Sequence, residues 1–316
     1  VTFRLYRDGD FALMLEAANE SARADSDDRV FTLDTFKTNY AADKSFDPKA
    51  DILLAEARGD LIGFVRGLWL QQQDGSVLYP HYGYLRPAWR RKGIGGAMLR
   101  YMQHHLAEIG DQRGHGLPRL YQAYVWDTEI STQRMLENAG YQPSEYFALM
   151  CRPDLENIPD LPLPEGIEIR PVEPEHYPAI FESESEAFRD HIGVFSISYE
   201  WFLAQAETQD NSLWRIAWSG DKVVGCVRSF ILTDENALRQ RLRGYTESIS
   251  VRKPWRGKGL AKTLIALNFT ALKERGMEEA ALNVHTNNPT GAFKLYESMG
   301  FRVVKMRTAY RKPFRT

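Results

Sequence analysis

Cysteine is scarce in this chain of 316 residues: only Cys151 and Cys226 occur, far apart and without a CxxC neighbour. That argues against a disulfide framework or a cysteine-built zinc site, and both are read as small buried apolar side chains. Long apolar runs are missing too. Stretches such as Asp51-Ile-Leu-Leu-Ala-Glu56 fall far short of the ~20 residues of a membrane span, and no basic-then-apolar leader opens the chain, so a cytoplasmic protein without membrane contact is expected. Charge of one sign is lacking: 40 Lys+Arg against 42 Asp+Glu give a net charge of −2 and no global field for nucleic acid or anionic lipid. Neither GxGxxG nor Gly-Lys-Ser/Thr is present, which excludes the common dinucleotide and P-loop signatures. The adjacent His104 and His105 would diverge by about 100° on a helix and make no metal pair, so no metal is expected.

What is present is ordinary globular material, 43% hydrophobic and 26% charged, in a length that suits two domains. The chain repeats itself once, with matching blocks about 160 residues apart. Ile62-Gly-Phe-Val-Arg66 matches Val224-Gly-Cys-Val-Arg228. Leu85-Arg-Pro-Ala-Trp-Arg-Arg-Lys-Gly-Ile-Gly95 matches Val251-Arg-Lys-Pro-Trp-Arg-Gly-Lys-Gly-Leu-Ala261, and Glu137-Asn-Ala-Gly-Tyr141 matches Glu297-Ser-Met-Gly-Phe301. Several blocks in one order mark a copied domain. Between the copies, residues 151-165 are rich in proline, which resists helix and central strand, and read as a linker between domains at 1-150 and 166-316.

Each half predicts an α+β arrangement. In the second, an amphipathic stretch from Pro178 to Phe188 precedes strand-like runs at Ser212–Trp218, Lys222–Arg228 and Tyr245–Val251. A helix from Gly259 to Arg275 follows, with Leu260, Leu264, Leu267 and Ala271 at helical spacing and Gly276 as its stop. Ala280–His285 reads as a strand, Thr290–Met299 as a helix closed by Gly300, and Phe301–Arg311 as terminal strands.

The turn Arg256-Gly-Lys-Gly-Leu-Ala261 stands between a strand and an amphipathic helix, as does its counterpart Arg90-Arg-Lys-Gly-Ile-Gly95. Small residues there let backbone approach a ligand, while the helix start presents unpaired N–H groups and the positive end of its dipole, a natural seat for a pyrophosphate. Arg252, Lys253, Arg256, Lys258 and Lys262 crowd the same stretch and suit a ligand with several phosphates.

With Ile249-Ser-Val251 before the turn, and Asn287-Asn288, Leu295-Tyr296-Glu297 and Gly300-Phe301 after it, the second half resembles the GNAT superfamily of N-acetyltransferases. The resemblance covers 166-316, extends more weakly over 1-150, and as a pair is similar to tandem proteins of the mycothiol synthase type. It implies in each half a mixed, mostly antiparallel sheet flanked by helices, with two central strands splaying to admit acetyl-CoA as co-substrate. The backbone of Ile249, Ser250 and Val251 would pair with the pantetheine arm, and Arg256, Gly257, Lys258, Gly259, Leu260, Ala261 and Lys262 would hold the pyrophosphate. Asn288 would join them, although it stands eight residues before Tyr296, one more than in many relatives.

Acetyl transfer to an amine requires a deprotonated amine and a protonated leaving thiolate. Tyr296 falls where many relatives have their general acid. Glu247, two residues before Ile249 and so expected on the same face of the strand, is the candidate base or cation attractor. His285 and Glu297 are weaker candidates. Glu182, Glu184 and Glu186 add a mild expectation of a cationic acceptor.

In the first half, His81 answers to Glu247 and Leu136 to Tyr296, and an aliphatic side chain donates no proton. That half is expected to be non-catalytic, with Arg90, Arg91, Lys92, Gly93, Ile94 and Gly95 retaining an anion-binding layout and Tyr82 and Tyr84 as possible stand-ins. The expected function is N-acetyl transfer to a small-molecule amine by direct attack in the C-terminal half of a monomer or homodimer. The competing readings are a CoA-binding sensor or interaction module without turnover, and an acyltransferase with a longer donor or a non-amine acceptor.

Overall fold

The computed structural model describes all residues except 28–30, 34–45, 73–74, 113–117, 190–197, 288–290 and 315–316. Two compact units emerge, Val1–Tyr146 with Arg307–Thr316, and Phe147–Met306. The first contains β1 (Thr2–Leu5), α1 (Phe11–Ala24), α2 (Pro48–Asp51), β2 (Ile52–Ala57), β3 (Asp60–Gly67), β4 (Leu70–Gln71), β5 (Val77–Leu85), α3 (Ile94–Gln112), β6 (Arg119–Trp126) and α4 (Ile130–Asn138). Strand β7 (Gln142–Arg152) carries the chain into the second unit. There follow β8 (Glu168–Arg170), α5 (Tyr177–Phe188), α6 (Tyr199–Ala206), β9 (Arg215–Ser219), β10 (Lys222–Ile231), α7 (Thr233–Arg239), β11 (Arg243–Val251), α8 (Leu260–Glu274), β12 (Glu279–His285), α9 (Ala292–Ser298) and β13 (Arg302–Pro313).

Among the described residues each unit has a mixed sheet with one parallel pair. In the first, β1, β2, β3 and β5 are successive antiparallel neighbours, and β5 runs parallel to β6 from Val77↔Arg119 to Pro80↔Gln122. In the second, β8, β9, β10 and β11 are antiparallel neighbours, and β11 runs parallel to β12 from Arg243↔Glu279 to Tyr245↔Ala281. Apolar positions repeat as the period of each element demands. On α8, Leu260, Leu264, Phe269 and Leu272 are buried against strand residues Val224, Val227, Ala280 and Leu282. A second core places Met98, Leu99, Met102 and Leu106 of α3 against Leu53, Val65 and Tyr79.

The unit boundaries differ from the expected 1-150, 151-165 and 166-316. The last strand of the first sheet is the end of β13, with Arg307–Pro313 antiparallel to Trp126–Leu120. The last strand of the second is the end of β7, with Phe147–Arg152 antiparallel to His285–Ala280. The proline-rich segment is part of the second unit rather than a free tether. Leu155 is buried in its core, Ile158, Leu161 and Leu163 pack against that core, and Arg152 donates to the carbonyls of Asp154, Asn157 and Met299. Proline there supplies extended backbone without amide donors, which suits a strap laid over a packed face.

Among the described residues no helix is long and apolar enough to cross a membrane, and no group of three or more His, Cys, Asp or Glu could hold a metal ion. His104 pairs with Glu108 at 3.4 Å and His105 with Asp51 at 2.7 Å. Cys151 and Cys226 are free and buried.

Candidate active site

In the second unit β11 passes through a single 3-10 turn, Lys253–Trp255, into the glycine-containing segment that starts α8. Gly257 and Gly259 have φ of +74° and +85°, and a Cβ at either would meet nothing within 4 Å. Glycine is thus required by the left-handed backbone, and the space in front of the turn is open. No side chain caps α8, whose first main-chain bond is Thr263 N–H to Gly259 O at 3.2 Å. The amides of Leu260, Ala261 and Lys262 are therefore the helix's unspent donors, at the positive end of its dipole. Leu260 anchors the turn by burying its side chain, while Lys258 and Lys262 are exposed.

The arginines do other work than the crowding of positive charge suggests. Arg256 donates from Nε to Val251 O at 2.8 Å and from Nη2 to Ala187 O at 3.1 Å, lacing the turn to the strand and to the end of α5. Arg252 is buried and paired with Glu182 at 3.1 Å and Glu186 at 2.8 Å. Glu184 is buried against Arg228 at 2.7 Å. All three acidic residues of α5 are thus ion-paired with arginines, Glu184 in the interior and Glu182 and Glu186 at the surface.

Pairing between β11 and β12 ends at Tyr245↔Ala281, and the strands then part. Glu247 spans the opening: its Oε1 accepts from Asn283 N at 3.0 Å and from Asn283 Nδ2 at 2.9 Å. At the same point the β10–β11 register slips from Cys226↔Ser250 to Arg228↔Glu247, a β-bulge with Ser248 at φ +48°. The bulge breaks the two-residue alternation, so a shared face for Glu247 and Ile249 no longer follows from spacing. Ile249 packs against the core with buried Val251, Ser250 is buried, and Glu247 turns to the opening. Ser248 was missed because a serine gives no hint of a left-handed backbone position.

Burial pushes the Glu247 carboxyl up to about 7, against the two Asn283 hydrogen bonds that pull it down. Tyr296, buried on α9, has its phenol pushed well above the ordinary value by burial first and by the Glu247 charge second. Tyr296 packs in the same core as Ile249, Val251 and Leu260. His285 accepts from Asn287 N–H at Nδ1, 3.2 Å, with its ring edge-on to Phe147, and Glu297 is exposed. Asn288 lies outside the described residues.

The first unit repeats the layout and changes the chemistry. β5 and β6 part beyond Pro80↔Gln122, and a cavity of about 1370 Å³ lies in that unit, lined by Tyr82, Leu85, Gly93, Gly95, Tyr121 and Leu136 among others. Arg91 and Gly93 take the left-handed positions of Gly257 and Gly259, at φ +61° and +81°. Ile94 is buried at the start of α3 as Leu260 is in α8. Arg90 is spent, donating to Leu85 O at 3.1 Å, to Asp25 at 2.6 and 2.7 Å and to Ser21 Oγ at 2.7 Å. Lys92 donates to Ala88 O and sits over Trp89.

The helix ends fix the correspondence of Leu136 with Tyr296. Tyr141 N–H bonds to Leu136 O at 3.0 Å across Gly140, φ +87°, as Phe301 N–H bonds to Tyr296 O at 3.1 Å across Gly300, φ +86°. His81 is buried, which pushes its imidazole down to about 4. The neutral ring contacts Tyr79 O through Nδ1 at 3.2 Å and the Tyr141 hydroxyl through Nε2 at 3.1 Å.

Comparison with known proteins matches residues 177–301 to the acetyltransferase (GNAT) family and 48–143 to an acetyltransferase (GNAT) domain. The mycothiol acetyltransferase of Thermobispora bispora is 25% identical over 234 residues, covering 72% of this chain and 74% of that protein. The N-alpha-acetyltransferase MAK3 of Arabidopsis thaliana is 30% identical over 126 residues, 40% of this chain, and the match spans only 60% of that relative. Among solved structures, a GCN5-related N-acetyltransferase from Sphaerobacter thermophilus superposes with TM-score 0.76 at 24% identity, covering 100% of this chain and 96% of that one. A tandem GNAT protein from the clavulanic acid biosynthesis pathway gives 0.70 at 16% identity, covering 99% and 98%.

Proposed function

This chain belongs to the GNAT acetyltransferase family as two such domains in tandem, and on that premise we propose that its second unit transfers acetyl from acetyl-CoA to a primary amine. The observation that carries the proposal is the glycine turn before the uncapped start of α8, open in front of Gly257 and Gly259, at the end of the strand whose Glu247 reaches across to Asn283 where β11 and β12 part. Acetyl-CoA supplies an acyl group activated by a thiol that leaves readily. The turn fits it: the space before Gly257 and Gly259 is open, the amides of Leu260, Ala261 and Lys262 have no partner within the helix, and the parted edge of β11 from Ile249 to Val251 offers backbone partners to an extended amide arm.

Glu247 takes the proton of the attacking ammonium, directly or through water, and its raised value matches that task at neutral pH. Tyr296 returns a proton to the departing sulfur. A phenol this reluctant to ionise donates weakly, so its contribution is a positioned hydrogen bond more than a full transfer. Low identity to the mycothiol acetyltransferases supports a small-molecule amine as acceptor without naming it. The first unit, with Leu136 and a neutral His81, keeps a binding cleft without the acid and base, and we assign it a non-catalytic role in a cytoplasmic monomer or homodimer.

The test is thiol release from acetyl-CoA across a panel of amines, in the parent, Glu247→Gln and Tyr296→Phe. Loss in both variants supports the assignment. Tight CoA binding with no thiol release from any amine would support the sensor reading instead.

A further inference from the structure

The duplicated chain provides an internal control, because one copy carries the acid and base and the other does not. In the second unit Arg228 is buried with its guanidinium carbon 4.9 Å from the ring centres of both Phe202 and Trp214. Its Nε donates to Glu184 at 2.7 Å and its Nη2 to Ser248 Oγ at 3.3 Å. Ser248 is the bulge residue beside Glu247, and Arg228 faces Glu247 across the strand pair.

In the first unit Arg86 pairs with Glu16 and Glu20 as Arg252 pairs with Glu182 and Glu186, which sets Ala18 at the place of Glu184. Ala18 is fully buried, Arg66 stands over the ring of Tyr82, and β3 pairs with β5 from Gly63↔Leu85 to Gly67↔His81 without a slip. Alanine thus stands in the first unit where the second has Glu184, and the β3–β5 pairing runs without the slip seen between β10 and β11. A buried ion pair adds little net stability, since desolvating both charges costs about as much as their attraction returns. Its presence beside a strained backbone position therefore calls for a geometric role.

We infer that Glu184 and Arg228 form a positioning pair that ties Ser248 to α5, holds the bulge, and so aims Glu247 at the opening between β11 and β12. This rests on the reading of Glu247 as the base. Neither residue touches the reacting atoms.

The experiment uses the whole chain. The double variant Glu184→Met/Arg228→Met removes both charges without stranding one, and Glu184→Gln is the second variant should the double one not fold. Thiol release from acetyl-CoA is followed with glucosamine, spermidine and phenylalaninamide as probe amines, and the backbone at Ser248 by NMR coupling constants. The double variant should melt at or above the parent temperature, keep KM for acetyl-CoA within about twofold, and lose about 10²-fold in kcat, the effect of displacing a reacting group by an ångström. Its Ser248 should leave the positive-φ region, and adding Ser248→Gly, which adopts that region freely, should recover part of the loss. A kcat within twofold of the parent, or a retained positive φ at Ser248, overturns the inference. Failure of the Glu247 reading is recognised separately, by Glu247→Gln turning over at the parent rate, and the backbone measurement then still judges the clamp.

Discussion

Replacing Glu247 by Gln should make the protein more stable at alkaline pH while nearly abolishing turnover. The carboxyl is raised to about 7 in the fold from an ordinary 4.5. A group raised in this way binds a proton on folding. Its stabilising contribution is therefore complete below about 4.5 and is lost as pH rises through about 7, where the fold carries a poorly solvated charge. At about 1.4 kcal/mol per pH unit the rise from 4.5 to about 7 corresponds to about 3.5 kcal/mol, and the partial exposure of Glu247 lowers the cost toward about 1–2 kcal/mol. Gln keeps an acceptor oxygen for Asn283 N–H and removes the charge. Urea unfolding at pH 4.5 and pH 8.5 reads the effect: little difference between variant and parent at the lower pH, and a gain of about 1–2 kcal/mol for the variant at the higher. Thiol release should fall by about 10²–10⁴, and the rise of parent kcat through pH ~7 should be missing from the variant. An equal stability change at both pH values, or retained turnover, would refute the reasoning.

Tyr296→Phe should cost about 10²-fold in kcat, the low end for an acid on a good leaving group, with little change in Tm because the ring stays packed beside Phe301. Gly259→Ala should destabilise by about 1–2 kcal/mol through its left-handed φ, and weaken CoA binding measured by calorimetry, although no neighbour obstructs the methyl. Leu155→Ala should cost about 2–5 kcal/mol in urea unfolding, where a free tether would be silent. Chains cut to 1–150 and 166–316 should each fail to give a cooperative unfolding transition, since the first lacks Arg307–Pro313 of its sheet and the second lacks Phe147–Arg152 of its own.

The duplication, the order of elements and the glycine-containing turns were legible because they rest on local signals: glycines where φ must be positive, and apolar positions at helical or strand spacing. Helix α8 runs Leu260–Glu274 against the expected Gly259–Arg275, and β12 and β11 begin only slightly earlier than their apolar runs suggest. Long-range pairing was not legible. Nothing local in Arg307–Pro313 says that it closes the first sheet, and nothing in Phe147–Arg152 says that it closes the second. The same limit applies to charge: composition alone does not say that Arg252 pairs with Glu182 and Glu186 of α5, or that Arg256 donates to the carbonyls of Val251 and Ala187. The bulge left no trace either, because its left-handed residue is a serine held by Arg228 rather than a glycine.

The account rests on where the coenzyme lies and what it meets there, and a crystal structure with bound CoA tests that most directly. Diphosphate oxygens within hydrogen-bond distance of the amides from Gly257 to Lys262, with the sulfur directed at Glu247 and Tyr296, are the predicted result. Coenzyme bound only in the cavity of the first unit, with the turn before α8 bare, would contradict it.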